Sequence, residues 1–173
     1  MIDINSENIF YQKKFEDLFS QKNYQLSSQK KFLTVKIKDE KNYIIVNAND
    51  ERISFSKPVV FDEFFKKPTF IILRTKIFFS STDYYPFRHF IKYKGSSYKF
   101  KNFNNILFGN LVLYYPEGIN KVDLYKKIWP TDKQIIINKL DTHLTNLKVD
   151  LKKYINFDLN FRSKNGVINL IIN

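Results

Sequence analysis

A chain of 173 residues with 43% hydrophobic residues and 18 Phe can bury one core or two small ones, which excludes an intrinsically disordered chain. It has no cysteine, so a disulfide framework, thiolate metal sites and a cysteine nucleophile are excluded, and a reducing compartment fits. The net charge of +12 is uneven: residues 1–68 hold 12 Lys/Arg against 10 Asp/Glu, whereas residues 69–173 hold 17 against 7.

Abundant Lys, Asn, Ile, Phe and Tyr, with only four Arg among 29 basic residues, is what drift in an AT-rich genome produces. Drift gives no reason for the uneven split. A cationic half suggests a polyanionic partner, most often nucleic acid, because neutralising phosphates releases counterions. No run of 18 apolar residues occurs, and MIDINSENIF lacks a basic-then-apolar signal pattern. A soluble cytoplasmic protein is expected.

In chain order, residues 6–21 predict an amphipathic helix with Ile9, Phe10, Phe15, Leu18 and Phe19 as its apolar stripe and Ser6 as N-cap. Residues 32–38 and 43–47 read as strands, and 59–67 as a short helix after Pro58. Pro68 marks a boundary. Residues 69–79 read as a strand and 81–86 as a turn or loop. Strands 87–93 and 96–100 flank a Lys94-Gly95 hairpin turn. Helices follow at 102–115, at 120–129 with Asn120 as cap, and at 134–151. Strands 155–161 and 166–172 close a hairpin around residues 163–166. The expected fold class is α+β: a small α/β domain over 1–68, then a domain over 69–173 with the element order of a winged helix-turn-helix.

On a helical wheel, Ile137, Leu140, Leu144, Leu147 and Leu151 form one stripe, which faces a core. The opposite face shows Asn138, Thr142, Thr145, Asn146 and Val149, with Lys139 and Lys148 toward the flanks. Solvated helix faces usually carry Glu and Lys, and this one has no acid at its centre. In a helix-turn-helix this helix enters the major groove. Asn can bond adenine N6 and N7, Thr can donate to phosphate or set its methyl against a thymine methyl, and Lys supplies phosphate charge.

LYKKIW (124–129), LDTHLTNLKVDL (140–151) and FRSKNGVINL (161–170) occur in that order, and YKGSSYKF (93–100) precedes them. Together they resemble the effector domain of the bacterial OmpR/PhoB-type response regulators. That family has a Leu-rich helix ending in Val-Trp-Gly, a recognition helix reading Val-Asp-Val-His-Ile-Ser-Arg-Leu-Arg-Lys-Lys-Leu, and a hairpin reading Arg-Gly-Val-Gly-Tyr. Asp141, His143, Leu144, Leu147 and Leu151 are identical or equivalent to the motif, and the wing is one residue longer.

The resemblance implies a DNA-binding transcriptional regulator, with helix 134–151 in the major groove and wing 161–168 at the minor groove. Asn138, Thr142, Thr145 and Asn146 occupy groove-facing positions. Trp129, His143 and Lys148 occupy positions that meet backbone phosphates, and Arg162 and Lys164 approach the minor groove. Lys139 adds phosphate charge. Several of the groove-facing positions are Arg in the family, and their replacement by Thr and Asn argues against guanine readout and toward A/T-rich sites.

Family members carry a phosphate-accepting receiver domain, and 68 residues are too few for one. FSKPVVFDEFF (55–65) resembles the Lys-Pro turn and last helix of a receiver, so the segment reads as a truncated relic or a generic α/β cap. Asp50 and Asp62 are poor phosphoacceptors, and regulation is expected to be phosphorylation-independent. Catalysis finds no support. His89 and His143 lack metal-ligand spacing, the four glycines form no phosphate loop, and no nucleophile-base-acid set occurs. No cofactor and no metal are expected. Double-stranded DNA is the expected partner, with RNA polymerase and a second copy joined through residues 1–68 as further candidates and no membrane. The competing readings are a winged-helix protein-interaction module, motivated by FFSSTDYYPF (78–87), and single-strand binding by aromatic stacking.

Overall fold

The structure is a computed structural model that describes residues 1–21, 24–48, 51–61 and 74–171. The chain divides into two compact units, Met1–Thr75 and Lys76–Asn173. Both mix helix and sheet, so the fold is α+β.

The first unit contains β1 (Ile2–Ser6), α1 (Ile9–Gln21), β2 (Leu33–Asp39), β3 (Tyr43–Ala48) and β4 (Glu51–Ser56). The sheet runs in the order β1-β2-β3-β4, with β1 parallel to β2 and the other pairs antiparallel. Parallel neighbours need a crossover, which α1 supplies. Leu33, Val35 and Ile37 alternate inward along β2, and Phe15 and Phe19 of α1 are fully buried.

Two expectations change here, and a strand at residues 2–6 adds to them. Ser6 is not the helix cap, because α1 starts at Ile9 and Asn8 Oδ1 accepts the Phe10 amide at 2.9 Å. Ile9 and Phe10 are exposed, since the pair Phe15 and Phe19 sets the rotation of the helix. β4 was not anticipated. The expected helix 59–67, from residue 62 onward, lies outside the described residues, as do the boundary at Pro68, Asp50 and Asp62.

The second unit opens with an antiparallel meander, β5 (Ile77–Phe79), β6 (Thr82–Tyr85), β7 (Phe90–Tyr93) and β8 (Ser96–Lys99). Then come α2 (Asn102–Leu113), β9 (Ile119–Asn120), α3 (Lys121–Ile128), α4 (Ile137–Ile155), β10 (Asn160–Lys164) and β11 (Val167–Ile171). The last sheet runs β10-β11-β9.

The segment expected to be a loop at 81–86 is largely β6. Ser80 and Ser81 take positive φ of 45° and 56°, so the turn closes early and the strand begins at Thr82. Tyr84 is fully buried, and its hydroxyl donates to Asn105 Oδ1 at 2.8 Å. Asn105 in turn donates to the Pro86 carbonyl at 2.8 Å. Strand 87–93 shrinks to 90–93 because the chain turns at His89, whose φ is 57°. The expected strand 69–79 is described only as β5, residues 69–73 lying outside the described residues.

Asn120 caps α3 as expected, accepting the Val122 amide at 2.8 Å. α4 starts three residues later and ends four later than its leucine pattern suggests. Its end is set by Asn156 in the left-handed region, with the Phe157 amide donating back to the Leu151 carbonyl at 3.2 Å. The expected strand 155–161 is consequently displaced to 160–164. The hairpin turn is Asn165-Gly166, both at positive φ. The hairpin is anchored twice: β11 pairs with β9, and the Lys121 amide donates to the Gly166 carbonyl at 2.8 Å.

Candidate nucleic-acid interface

The rotation of α4 decides which side chains it offers. Leu140, Leu144, Leu147, Leu151 and Ile155 are buried, whereas Ile137 is only half-buried. Burying each of these aliphatic side chains is worth about 1.5–3 kcal/mol, so the outward face is firmly determined. Asn138, Thr142, Thr145 and Asn146 are all exposed, and with Asp141 they line one shallow depression. The Thr142 hydroxyl donates to the Asn138 carbonyl at 2.8 Å, and the Thr145 hydroxyl to the Asp141 carbonyl at 2.9 Å. Val149 lies one turn further on, 56% exposed.

Asp141 forms an ion pair with Lys121 at 2.6 Å, which ties the start of α3 to α4. Nothing in the sequence spacing signals that pair, because the two residues are separated by a helix and a loop. At the other end of α4, Tyr98 donates to Asp150 at 3.0 Å and its ring stacks on Tyr154 at 5.5 Å.

Trp129 and His143 are brought together. Phe103 of α2 lies 4.9 Å from Trp129 and 4.5 Å from His143, and Tyr125 lies 4.5 Å from Trp129. These two of the predicted phosphate contacts are therefore half-buried in an aromatic cluster. Lys139, on the flank, is engaged within the protein. Its Nζ sits 4.2 Å over the Trp129 ring and 2.9 Å from Asp132 Oδ2, which also accepts the Tyr125 hydroxyl at 2.6 Å. Lys139 is thus turned to the loop between α3 and α4 rather than to the depression. The hydrogen bonds from Lys139 and Tyr125 hold the Asp132 carboxyl below its ordinary range.

Burial, and then the Lys139 charge, push His143 below the ordinary imidazole value of 6.5. The folded protein thus favours neutral His143. Its contribution to stability is complete above pH 6.5 and falls as the pH drops through the depressed value. Trp129 is the only tryptophan and lies 5.5 Å from His143, so its emission reports that protonation. We expect a fluorescence titration with a midpoint below 6.5, and Lys139→Met to move it upward. An unmoved midpoint would leave burial as the whole cause.

Arg162 and Lys164 are exposed on β10, and Lys148 donates to Asn160 Oδ1 at 2.9 Å, joining the middle of α4 to the base of the hairpin. His89 lies apart from this group, on the meander, where burial and then Lys99 lower its pKa. Among the described residues no cluster of His, Asp and Glu could hold a metal, and no helix is long and apolar enough to cross a membrane. No protein-family model matches the chain, and comparison with curated proteins finds no similar sequence.

Proposed function

We propose that this chain is a DNA-binding transcriptional regulator whose second unit is a winged helix-turn-helix of the OmpR/PhoB type. In this reading α4 enters the major groove and the β10–β11 hairpin approaches the minor groove. Asn138 and Asn146 meet base edges, and Trp129, His143 and Lys148 lie against phosphates. Arg162 and Lys164 supply charge at the hairpin. Lys139 is assigned to holding the loop before α4. Regulation proceeds without receiver phosphorylation, and RNA polymerase and a second copy of the chain are its further partners.

The observation that carries the reading is the exposed Asn/Thr face of α4, edged by the Lys121-paired Asp141, opposite a buried leucine ridge and flanked by a hairpin bearing Arg162 and Lys164. The cationic balance of residues 69–173 supports it. A protein-interaction module is the second reading, favoured by Phe78, which is 74% exposed on β5.

Fluorescence anisotropy with labelled duplexes across a salt series separates the two. The expected affinity falls log-linearly with salt, with a slope of about −0.9 per neutralised phosphate. Asn146→Glu and Lys148→Glu each weaken it by about tenfold or more. Genomic fragments bound no tighter than random duplexes would reduce the protein to a non-specific binder. Absence of duplex binding at low salt would favour the interaction module.

A further inference from the structure

We infer that α4 reads thymine: Thr142, Thr145 and Val149 form a methyl ridge that packs against thymine C5-methyl groups, with Asn138 and Asn146 flanking it to bond adenine. This rests on the DNA-binding reading above and names the sequence class that it recognises.

The ridge follows from the spacing and from two hydrogen bonds. Residues 142, 145 and 149 stand three and then four apart, so they share one helix face. All three are exposed. The hydroxyl hydrogens of Thr142 and Thr145 are already committed to carbonyls four residues back, at 2.8 and 2.9 Å. With each hydroxyl turned to the helix backbone, the γ-methyl is what each threonine offers outward. From Asn138 to Val149 the helix rises about 16 Å, which matches roughly five base-pair steps.

The lining of the depression does not suit guanine. No cation lines it. Guanine presents two acceptors, O6 and N7, to the major groove and is usually read by Arg or Lys. The charged residue that lines the depression is Asp141, 44% exposed and held by Lys121, and a carboxylate has no hydrogen to donate to those acceptors. Lys139, the cation that could reach in from the same turn, is bound to Asp132. Thymine is the base whose edge carries a methyl, and its partner adenine offers the donor-acceptor pair that an Asn amide matches. The face also lacks the large aromatics that centre protein-protein contacts, and Lys148, Arg162 and Lys164 beside it suit a polyanion.

The test uses the full chain and three probes by anisotropy: an alternating A·T duplex, the same duplex with every thymine replaced by deoxyuridine, and an alternating G·C duplex. Replacing thymine by uracil removes only the methyl, and the expected loss is about tenfold for two or three contacts. The G·C duplex is expected to bind more weakly still. Thr145→Val keeps the ridge and retains the preference for thymine over uracil. Thr145→Ser and Thr142→Ser keep the hydroxyls, remove the methyls and shrink that preference. Equal binding of the thymine and uracil duplexes, with duplex binding otherwise intact, would overturn the methyl ridge alone. So would a Thr145→Val variant that loses the preference while Thr145→Ser keeps it, which would assign readout to the hydroxyl. Binding to none of the duplexes at low salt would overturn the DNA-binding reading and this inference with it.

Discussion

Leu147→Ala is expected to lower the unfolding free energy by about 2–5 kcal/mol, the range for removing a buried leucine and leaving a cavity. Leu147 is fully buried near the centre of the ridge formed by Leu140, Leu144, Leu151 and Ile155. That ridge seats α4 against α2, α3 and β8. Its neighbour in sequence, Asn146, is exposed on the face assigned to base contact. A cavity beneath one side of the helix therefore weakens the seat that aims the other side. Urea unfolding followed by Trp129 emission measures the loss, with the slope unchanged if the unfolded state is unaffected. Val149→Ala provides the comparison: it removes methyls from a side chain 56% exposed and should change stability by no more than about 0.5 kcal/mol. Equal effects from the two variants would contradict the burial pattern of α4.

Gly118→Ala is expected to cost about 2–4 kcal/mol, from backbone strain together with overpacking. Gly118 has a φ of +82°, where an L side chain is strained. An added Cβ would also fall 1.3 Å from Asn169 Oδ1 and 2.8 Å from the Ile168 carbonyl oxygen. The Asn169 amide can swing aside, but the Ile168 carbonyl belongs to β11, which pairs with β9 at Ile119. The strand itself has to move, and with it the hairpin that carries Arg162 and Lys164. Gly95→Ala isolates the strain contribution, because Gly95 has a φ of +84° and nothing within 4 Å of the added carbon. Its expected cost is about 1–2 kcal/mol. If the two glycine variants lose the same stability, close packing at Gly118 plays no part. For duplex binding, Gly118→Ala should weaken affinity at temperatures where the chain is still folded, whereas Gly95→Ala should not.

Much of the second unit was legible because its signals are local. The leucine spacing from 140 to 151 defines a helix and its buried side within a few turns. Asn120 acts as a cap through an amide two residues away. Lys94-Gly95 and Asn165-Gly166 turn because consecutive residues adopt positive φ. Where a local signal was weak, the expectation missed. Two serines at 80 and 81 replace the usual glycine turn signal, so the sequence pattern suggests a loop where the fully buried Tyr84 lies on a strand. The end of α4 is set by Asn156 in the left-handed region, an option that asparagine takes without announcing it in the pattern.

The candidate site divides in the same way. Periodicity alone placed Asn138, Thr142, Thr145 and Asn146 on the side of the helix away from its leucines, and the amino-acid counts alone concentrated positive charge in residues 69–173. Only the tertiary structure decided that Lys139 turns to Asp132 and Trp129, that Asp141 is paired with Lys121, and that Phe103 closes over His143. It alone set β1 beside β2 and laid the hairpin turn on the start of α3. Helical spacing and net charge are properties of neighbouring residues and of sums, which a linear chain carries openly. The partner of a lysine or an aromatic ring is whichever distant residue the packed core brings within a few ångströms, and no period along the chain encodes that choice.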